Sequence, residues 1–332
     1  VAQVINHSSA EILESRAAWE LLEAYAFVAD AWPGWEAEEA AKEVLEALPA
    51  EGAAWALLDG GGWQWLAVYA PLEFDSHLFG RPMAKLWPLA HRQAWPEPEA
   101  LAQGRQLLTQ VKEAAAEGGV QCLVARAPGR DFLAAQALES CGFRLMDASV
   151  EWLAALDNLP KRGQLPAGVG IRTWRPGDEE ALQSLTAEAM CRLEHYADRF
   201  AMDPRLRFNC GEMYRRWVAN SLAGEQSDQV LALTQDDEPA GLITLKLPAG
   251  HGPAAGCGWV VINAISPALR GRGLYHELLL RGLEWLFKHG AKAARVRTKL
   301  SQQAVIRAWS RLGARQVCSD FTFHLWLDQD AG

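Results

Sequence analysis

Displaced by 171 residues, the chain aligns with itself, 107–144 on 278–315, without a gap. Leu107, Leu108, Glu113, Gly119, Arg126, Ala137, Gly142 and Arg144 meet Leu278, Leu279, Glu284, Gly290, Arg297, Ala308, Gly313 and Arg315. Eight identities alone are too few to prove duplication. The shared order of helix, strand, helix and closing glycine makes duplication the better reading, and it restricts the 332-residue chain to two copies of one α/β unit.

The elements around the repeat fit that restriction. Residues 10–50 carry Ala, Glu and Leu at helical spacing, broken by Trp32-Pro33-Gly34-Trp35. Strand-like runs at 53–59 and 63–72 flank three glycines and read as a hairpin, and a helix is expected over 97–117. The Pro-, Gly- and charge-rich stretch 156–168 is the expected linker, separating a first lobe (1–155) from a second (169–332). Past it come a strand at 170–175, a helix at 178–190, and strands at 229–235 and 240–247.

Net charge is −9, which argues against bulk attraction to nucleic acid or anionic membrane. No apolar run approaches the roughly 20 residues that span a bilayer, and no basic leader precedes an apolar core, so a cytoplasmic protein is expected. The six cysteines are dispersed, without a C-x-x-C pair. Neither a metal site nor a disulfide framework is expected from them.

The two copies differ at one place. In the second, the apolar run Trp259-Val260-Val261-Ile262 leads through Arg270-Gly271-Arg272-Gly273-Leu274-Tyr275 into a leucine-rich helix. The first copy has Glu99-Ala100-Leu101-Ala102-Gln103-Gly104 there, with the arginines lost and an acid gained. A turn opening a helix exposes N–H groups without internal partners, and the helix dipole adds positive charge. Glycines admit an anion close to the backbone, so the turn predicts a phosphate cradle. The pattern is neither a Gly-Lys-Ser/Thr P-loop nor the G-x-G-x-x-G dinucleotide fingerprint.

The turn resembles the acyl-CoA loop of the GNAT acetyltransferases, Arg/Gln-x-x-Gly-x-Gly/Ala, with Tyr275 in place of the small last residue. Ile265-Ser266-Pro267 stands where that family usually shows Val-x-Pro. Segments 170–185, 214–224 and 311–327 further resemble the TDP-fucosamine N-acetyltransferase group, and 72–80 resembles, more loosely, a signature of that group's N-terminal part. The resemblance implies tandem GNAT folds, α/β with a mixed sheet, the first copy degenerate. It implies acetyl-CoA as co-substrate, no metal, and a small-molecule amine that attacks the thioester directly.

Residue by residue, it implies that the amides of Arg270, Gly271, Arg272, Gly273, Leu274 and Tyr275 hold the pyrophosphate. The N–H near Ile265 would polarise the thioester carbonyl, and Asn263 would orient the amine. The family commonly places a tyrosine acid four residues before the glycine that ends the last helix; here that position is Trp309. An indole N–H donates a hydrogen bond but is too weak an acid for proton transfer. Tyr275, Ser310 and Cys257 are the alternatives, or the thiolate leaves unaided. Glu194, His195 and Asp198, in the loop 191–204, are the candidates for acceptor binding and proton relay, with Arg205 and Arg207 near an acceptor phosphate.

Two other functions stay open at this point. One is a non-catalytic acyl-CoA-binding or scaffolding protein that kept the cradle and lost the acid. The other is an aminoacyl-type transferase using charged tRNA, which the acidic balance opposes.

Overall fold

The computed structural model describes residues 2–8, 11–12, 14–26, 37–46, 48, 53–59, 62–93, 96–191, 198–248 and 256–327. The chain runs β1 (Gln3–Ser8), α1 (Arg16–Tyr25), α2 (Ala37–Glu46), β2 (Ala53–Asp59), β3 (Gly62–Pro71), α3 (Glu73–Phe79), β4 (Met83–His91), α4 (Pro98–Glu117), β5 (Cys122–Pro128), α5 (Phe132–Ser140) and β6 (Arg144–Ala155). It continues with β7 (Val169–Thr173), α6 (Glu179–Met190), α7 (Arg199–Met202), α8 (Cys210–Leu222), β8 (Gln229–Gln235), β9 (Glu238–Lys246), β10 (Cys257–Ile265), α9 (Leu274–Lys288), β11 (Ala293–Lys299), α10 (Gln303–Arg311) and β12 (Arg315–Trp326). The helical opening expected over 10–50 contains α1 and α2, and its Trp-Pro-Gly-Trp turn at 32–35 lies outside the described residues.

Two compact units result: Val1–Ala148 with Cys318–Gly332, and Ser149–Val317. The expected linker, 156–168, falls inside the second unit, where Gly163 donates its N–H to Glu277 Oε1 at 3.0 Å and Arg162 pairs with Glu284 at 3.1 Å. The chain instead passes from unit to unit within β6 and near the start of β12. Its last strand belongs to the first unit, where Asp320–Trp326 pairs antiparallel with β5.

In the first unit the strand order is β1-β2-β3-β4-β5-β12, antiparallel except for β4 beside β5. Alternation along its strands buries both faces. Trp55, Leu57, Trp65 and Ala67 meet Leu107, Leu108, Val111 and Leu138, while Ala54, Ala56, Leu66 and Val68 meet Leu21, Leu22 and Leu45.

In the second unit the order is β6-β11-β10-β9-β8-β7. Val260, Ile243, Leu245 and Val296 cluster with Leu278, Leu279, Leu283 and Leu286 of α9 and with Trp309 of α10. The alternate residues Val230, Ala232, Leu242, Ile262 and Ala264 cluster with Leu182 of α6 and Val218 of α8. Gly258 permits α9 to sit close, since a Cβ there would stand 2.7 Å from Leu286.

Candidate active site

The second unit builds its site from a defect in its sheet. Between Val260 and Asn263, β10 places two residues opposite one of β9, a β-bulge. Buried Thr244 satisfies it, its Oγ1 accepting from Ile262 N at 2.9 Å. Parallel pairing of β10 with β11 stops at the same point, covering only Cys257–Val260 against Ala293–Val296. Past Val260 the two strands part.

The ladder then fixes where the amides of β10 point. Ser266 donates its N–H to Ala240 O at 2.9 Å, continuing the register Asn263↔Ile243, Ala264↔Leu242, Ile265↔Gly241. Antiparallel pairs alternate between hydrogen-bonded and non-hydrogen-bonded. Ala264 therefore faces β9, while the N–H groups of Asn263 and Ile265 face the edge from which β11 has departed. Directed N–H groups at an open strand edge are suitable donors to a carbonyl oxygen that gains charge.

A single turn of 3₁₀ helix, Pro267–Leu269, leads to the glycine turn. Gly271 has φ 77° and Gly273 φ 75°, a region costly for residues with a Cβ. Around the Cβ position of either glycine nothing lies within 4 Å, so the turn is open on the side from which an anion would approach. Gly273 is the N-cap of α9 and supplies no side-chain cap. The N–H groups of Gly271, Arg272, Gly273, Leu274 and Tyr275 donate to no backbone carbonyl among the described residues. Arg270 and Arg272 are exposed beside them, and Leu274 is buried and anchors the helix start. These features fit a pyrophosphate.

Tyr275 turns inward. Burial pushes its phenol well above the ordinary value, and the Trp309 indole N–H, acting on it as a hydrogen-bond donor, opposes that shift. Neither Tyr275 Oη nor Trp309 Nε1 has a well-formed hydrogen bond among the described residues, although both are buried. The aligned residues of the first copy are Gly104 and Leu138, so this polar pair occurs only where the glycine turn does. The other acid candidates sit less well. Ser310 is exposed on α10. Cys257 is at the opposite end of the nine-residue β10, about 25 Å from Ile265, and burial pushes its thiol up to about 11.

Of the acceptor candidates, Glu194 and His195 lie outside the described residues. Asp198 is buried: its Oδ1 accepts from Phe200 N at 3.0 Å and Ala201 N at 2.8 Å, capping α7, and its Oδ2 accepts from Tyr214 Oη. Those bonds make it an anchor of the segment. Among the described residues no cluster of His, Cys, Asp and Glu could hold a metal, and no helix is long and apolar enough to cross a membrane.

The first unit keeps the defect and closes it. β4 bulges between Leu86 and Leu89 opposite β3, and its parallel pairing with β5 ends at Leu86↔Ala125. His91, two residues past that bulge as Ile265 is past its own, holds Asp131 Oδ1 through Nε2 at 2.7 Å. Asp131 caps α5 through Ala134 N and accepts from Tyr25 Oη at 2.6 Å. This buried bridge joins the end of β4 to the start of α5 across the parting of β4 and β5. A second change removes the cradle: Leu274 aligns with Gln103, which lies well inside α4. Gly104 there gives way to Trp65, whose ring would stand 2.8 Å from a Cβ.

A bulged β10, a parted β11 and a glycine turn opening α9 mark the second unit as an acyl-CoA N-acyltransferase fold, and the first unit repeats the bulge and the parting without the turn. Residues 192–314 match the acetyltransferase (GNAT) family model. That match lies within the second unit. The chain is 27% identical over 191 residues to mycothiol acetyltransferase of Mycobacteroides abscessus, covering 47% of this chain and 64% of that protein. It is 25% identical over 182 residues to dTDP-fucosamine acetyltransferase of Escherichia coli, covering 54% of this chain and 70% of that one. Its fold matches a tandem GNAT protein from the clavulanic acid biosynthesis pathway across the full length of both chains, with TM-score 0.56 and 15% identity. The tandem mixed α/β architecture expected from the repeat is thereby borne out.

Proposed function

We propose that the second unit is an acetyl-CoA-dependent N-acetyltransferase acting on a small-molecule amine. The observation that carries the reading is the parting of β10 and β11 just ahead of a turn with five N–H groups that meet no backbone acceptor among the described residues. Acetyl-CoA would supply an activated acetyl thioester. The amides of Gly271–Tyr275, with Arg270 and Arg272, hold its pyrophosphate at the positive end of the fifteen-residue α9. The N–H groups of Ile265 and Asn263 donate to the acetyl oxygen as it gains charge.

Tyr275 serves as proton donor to the leaving sulfur. Its raised pKa keeps Oη protonated at neutral pH, and its contact with Trp309 puts a phenol beside the helix position where the family usually carries its tyrosine. The phenol reaches that place from α9 instead of α10. Removal of the amine proton falls to Glu194 or His195, with Asp198 anchoring the segment that bears them. Likeness to the E. coli dTDP-fucosamine acetyltransferase supports a nucleotide-linked amino sugar as acceptor.

Trp309 favours one other reading, an acyl-CoA-binding protein without turnover, because the usual acid is missing there. A screen of amines with acetyl-CoA, read as the mass gain of one acetyl group, separates the two. Acetylated product supports the enzyme; bound acetyl-CoA with no product from any amine supports the binding protein.

A further inference from the structure

Cys191 closes α6 and Cys210 opens α8, two helices that pack on the same face of β10. Their sulfurs lie 2.9 Å apart, 19 residues apart in sequence. That is inside ordinary van der Waals contact of two sulfurs and about 0.9 Å from a disulfide bond length. The sequence offers no C-x-x-C signal for such a pair; only the fold brings them together. Cys122, Cys141 and Cys257 each lie against a backbone carbonyl instead, those of Leu123, Arg105 and Gly258.

We propose that Cys191 and Cys210 are a redox-active dithiol that closes to a disulfide on reaction with a low-molecular-weight disulfide. Cys191 is half-buried and Cys210 fully buried, so an outside reagent meets Cys191 first. The hydrogen bond with Cys210 holds the Cys191 thiol below its ordinary value, which favours the nucleophilic thiolate. Cys191 gives up its proton and attacks one sulfur of the reagent. A mixed disulfide forms and the reagent's other half leaves as a thiolate that takes up a proton. Cys210 then gives up its proton and displaces the second half in the same way. Two thiols are oxidised, one reagent disulfide is reduced to two thiols, and two electrons and two protons are transferred. The bond ties the two ends of the stretch that carries Glu194, His195 and Asp198, without touching the glycine turn.

The test uses the full chain, reduced and then incubated with oxidised glutathione. Non-reducing peptide mapping should give one cross-link, Cys191 to Cys210, with loss of two of the six thiols. The melting temperature should rise by several degrees and return on reduction, because the closed loop restricts the unfolded chain. Cys210→Ser should trap glutathione on Cys191, and Cys191→Ser should abolish both cross-link and temperature shift. The parent protein reports even if a variant misfolds. Six titratable thiols after treatment, stable glutathione on Cys191 of the parent, or a cross-link through another cysteine would each overturn the proposal.

Discussion

Tyr275 Oη and Trp309 Nε1 lie together in the core of the second unit, both buried and neither in a well-formed hydrogen bond. Leaving buried polar atoms so poorly satisfied costs about 1–3 kcal/mol each, and two apolar residues would pack there more stably. The first copy has made that change, with Gly104 and Leu138 in the aligned positions. Tyr275→Phe should therefore keep or raise stability and leave acetyl-CoA binding nearly unchanged. Turnover should fall by roughly 10² to 10⁴, the range for general acid–base catalysis. Steady-state kinetics on the folded variant check this, and a turnover within twofold of the parent would remove Tyr275 from the mechanism.

The same burial predicts an alkaline limb of stability. The Tyr275 and Tyr25 phenols are both raised by burial, so above the ordinary tyrosine value, about 10, the unfolded chain loses those protons first. Their contribution is fully present below about pH 10 and is lost as pH rises from there through the raised folded values. Urea melts between pH 8 and 11 should show stability falling above 10. Tyr275→Phe should flatten the fall; an unchanged slope would contradict the burial of the phenol.

Gly273→Val tests the cradle. A valine at φ 75° costs roughly 1–2 kcal/mol in backbone strain and sets a branched side chain on the open side of the turn. Isothermal titration should show acetyl-CoA affinity lost by at least tenfold in a protein that still folds. Normal affinity in a folded variant would sink the loop assignment.

The first unit should bind no acetyl-CoA, giving a stoichiometry of one per chain. Its strand gap is bridged by His91 and Asp131, and its helix α4 runs through the place of the turn. Gly104→Ala, by pressing a methyl into Trp65, should destabilise that unit by about 1–3 kcal/mol with no effect on acetyl-CoA affinity. Two equivalents bound in titration would contradict the closed first unit.

Much of this is legible in the sequence. The run Gln229–Gln235 is a strand over the range its composition suggests, because β-branched and leucine residues on two buried faces leave few alternatives. The glycine turn was legible because backbone geometry there selects glycine and little else. β4 leaves no clear strand pattern because Pro88 interrupts it, and the structure absorbs that proline in the bulge between Leu86 and Leu89. The placement of β12 in the first unit was hidden for a different reason. Strand pairing across nearly 200 residues leaves no local pattern, since β12 reads the same in either sheet. The contact between Tyr275 and Trp309, 34 positions apart in the chain, is of the same kind.

Acetyl transfer by the second unit can be read as amine-dependent thiol release from acetyl-CoA. Parent protein, Gly273→Val and Tyr275→Phe should be assayed side by side against a panel of small amines that includes nucleotide-linked amino sugars. The parent should release thiol in dependence on one class of amine, Gly273→Val should stay near background at acetyl-CoA concentrations that saturate the parent, and Tyr275→Phe should fall in turnover but not in acetyl-CoA affinity. Stoichiometric acetyl-CoA binding by the parent, with thiol release no greater than that of Gly273→Val for every amine, would contradict acetyl transfer.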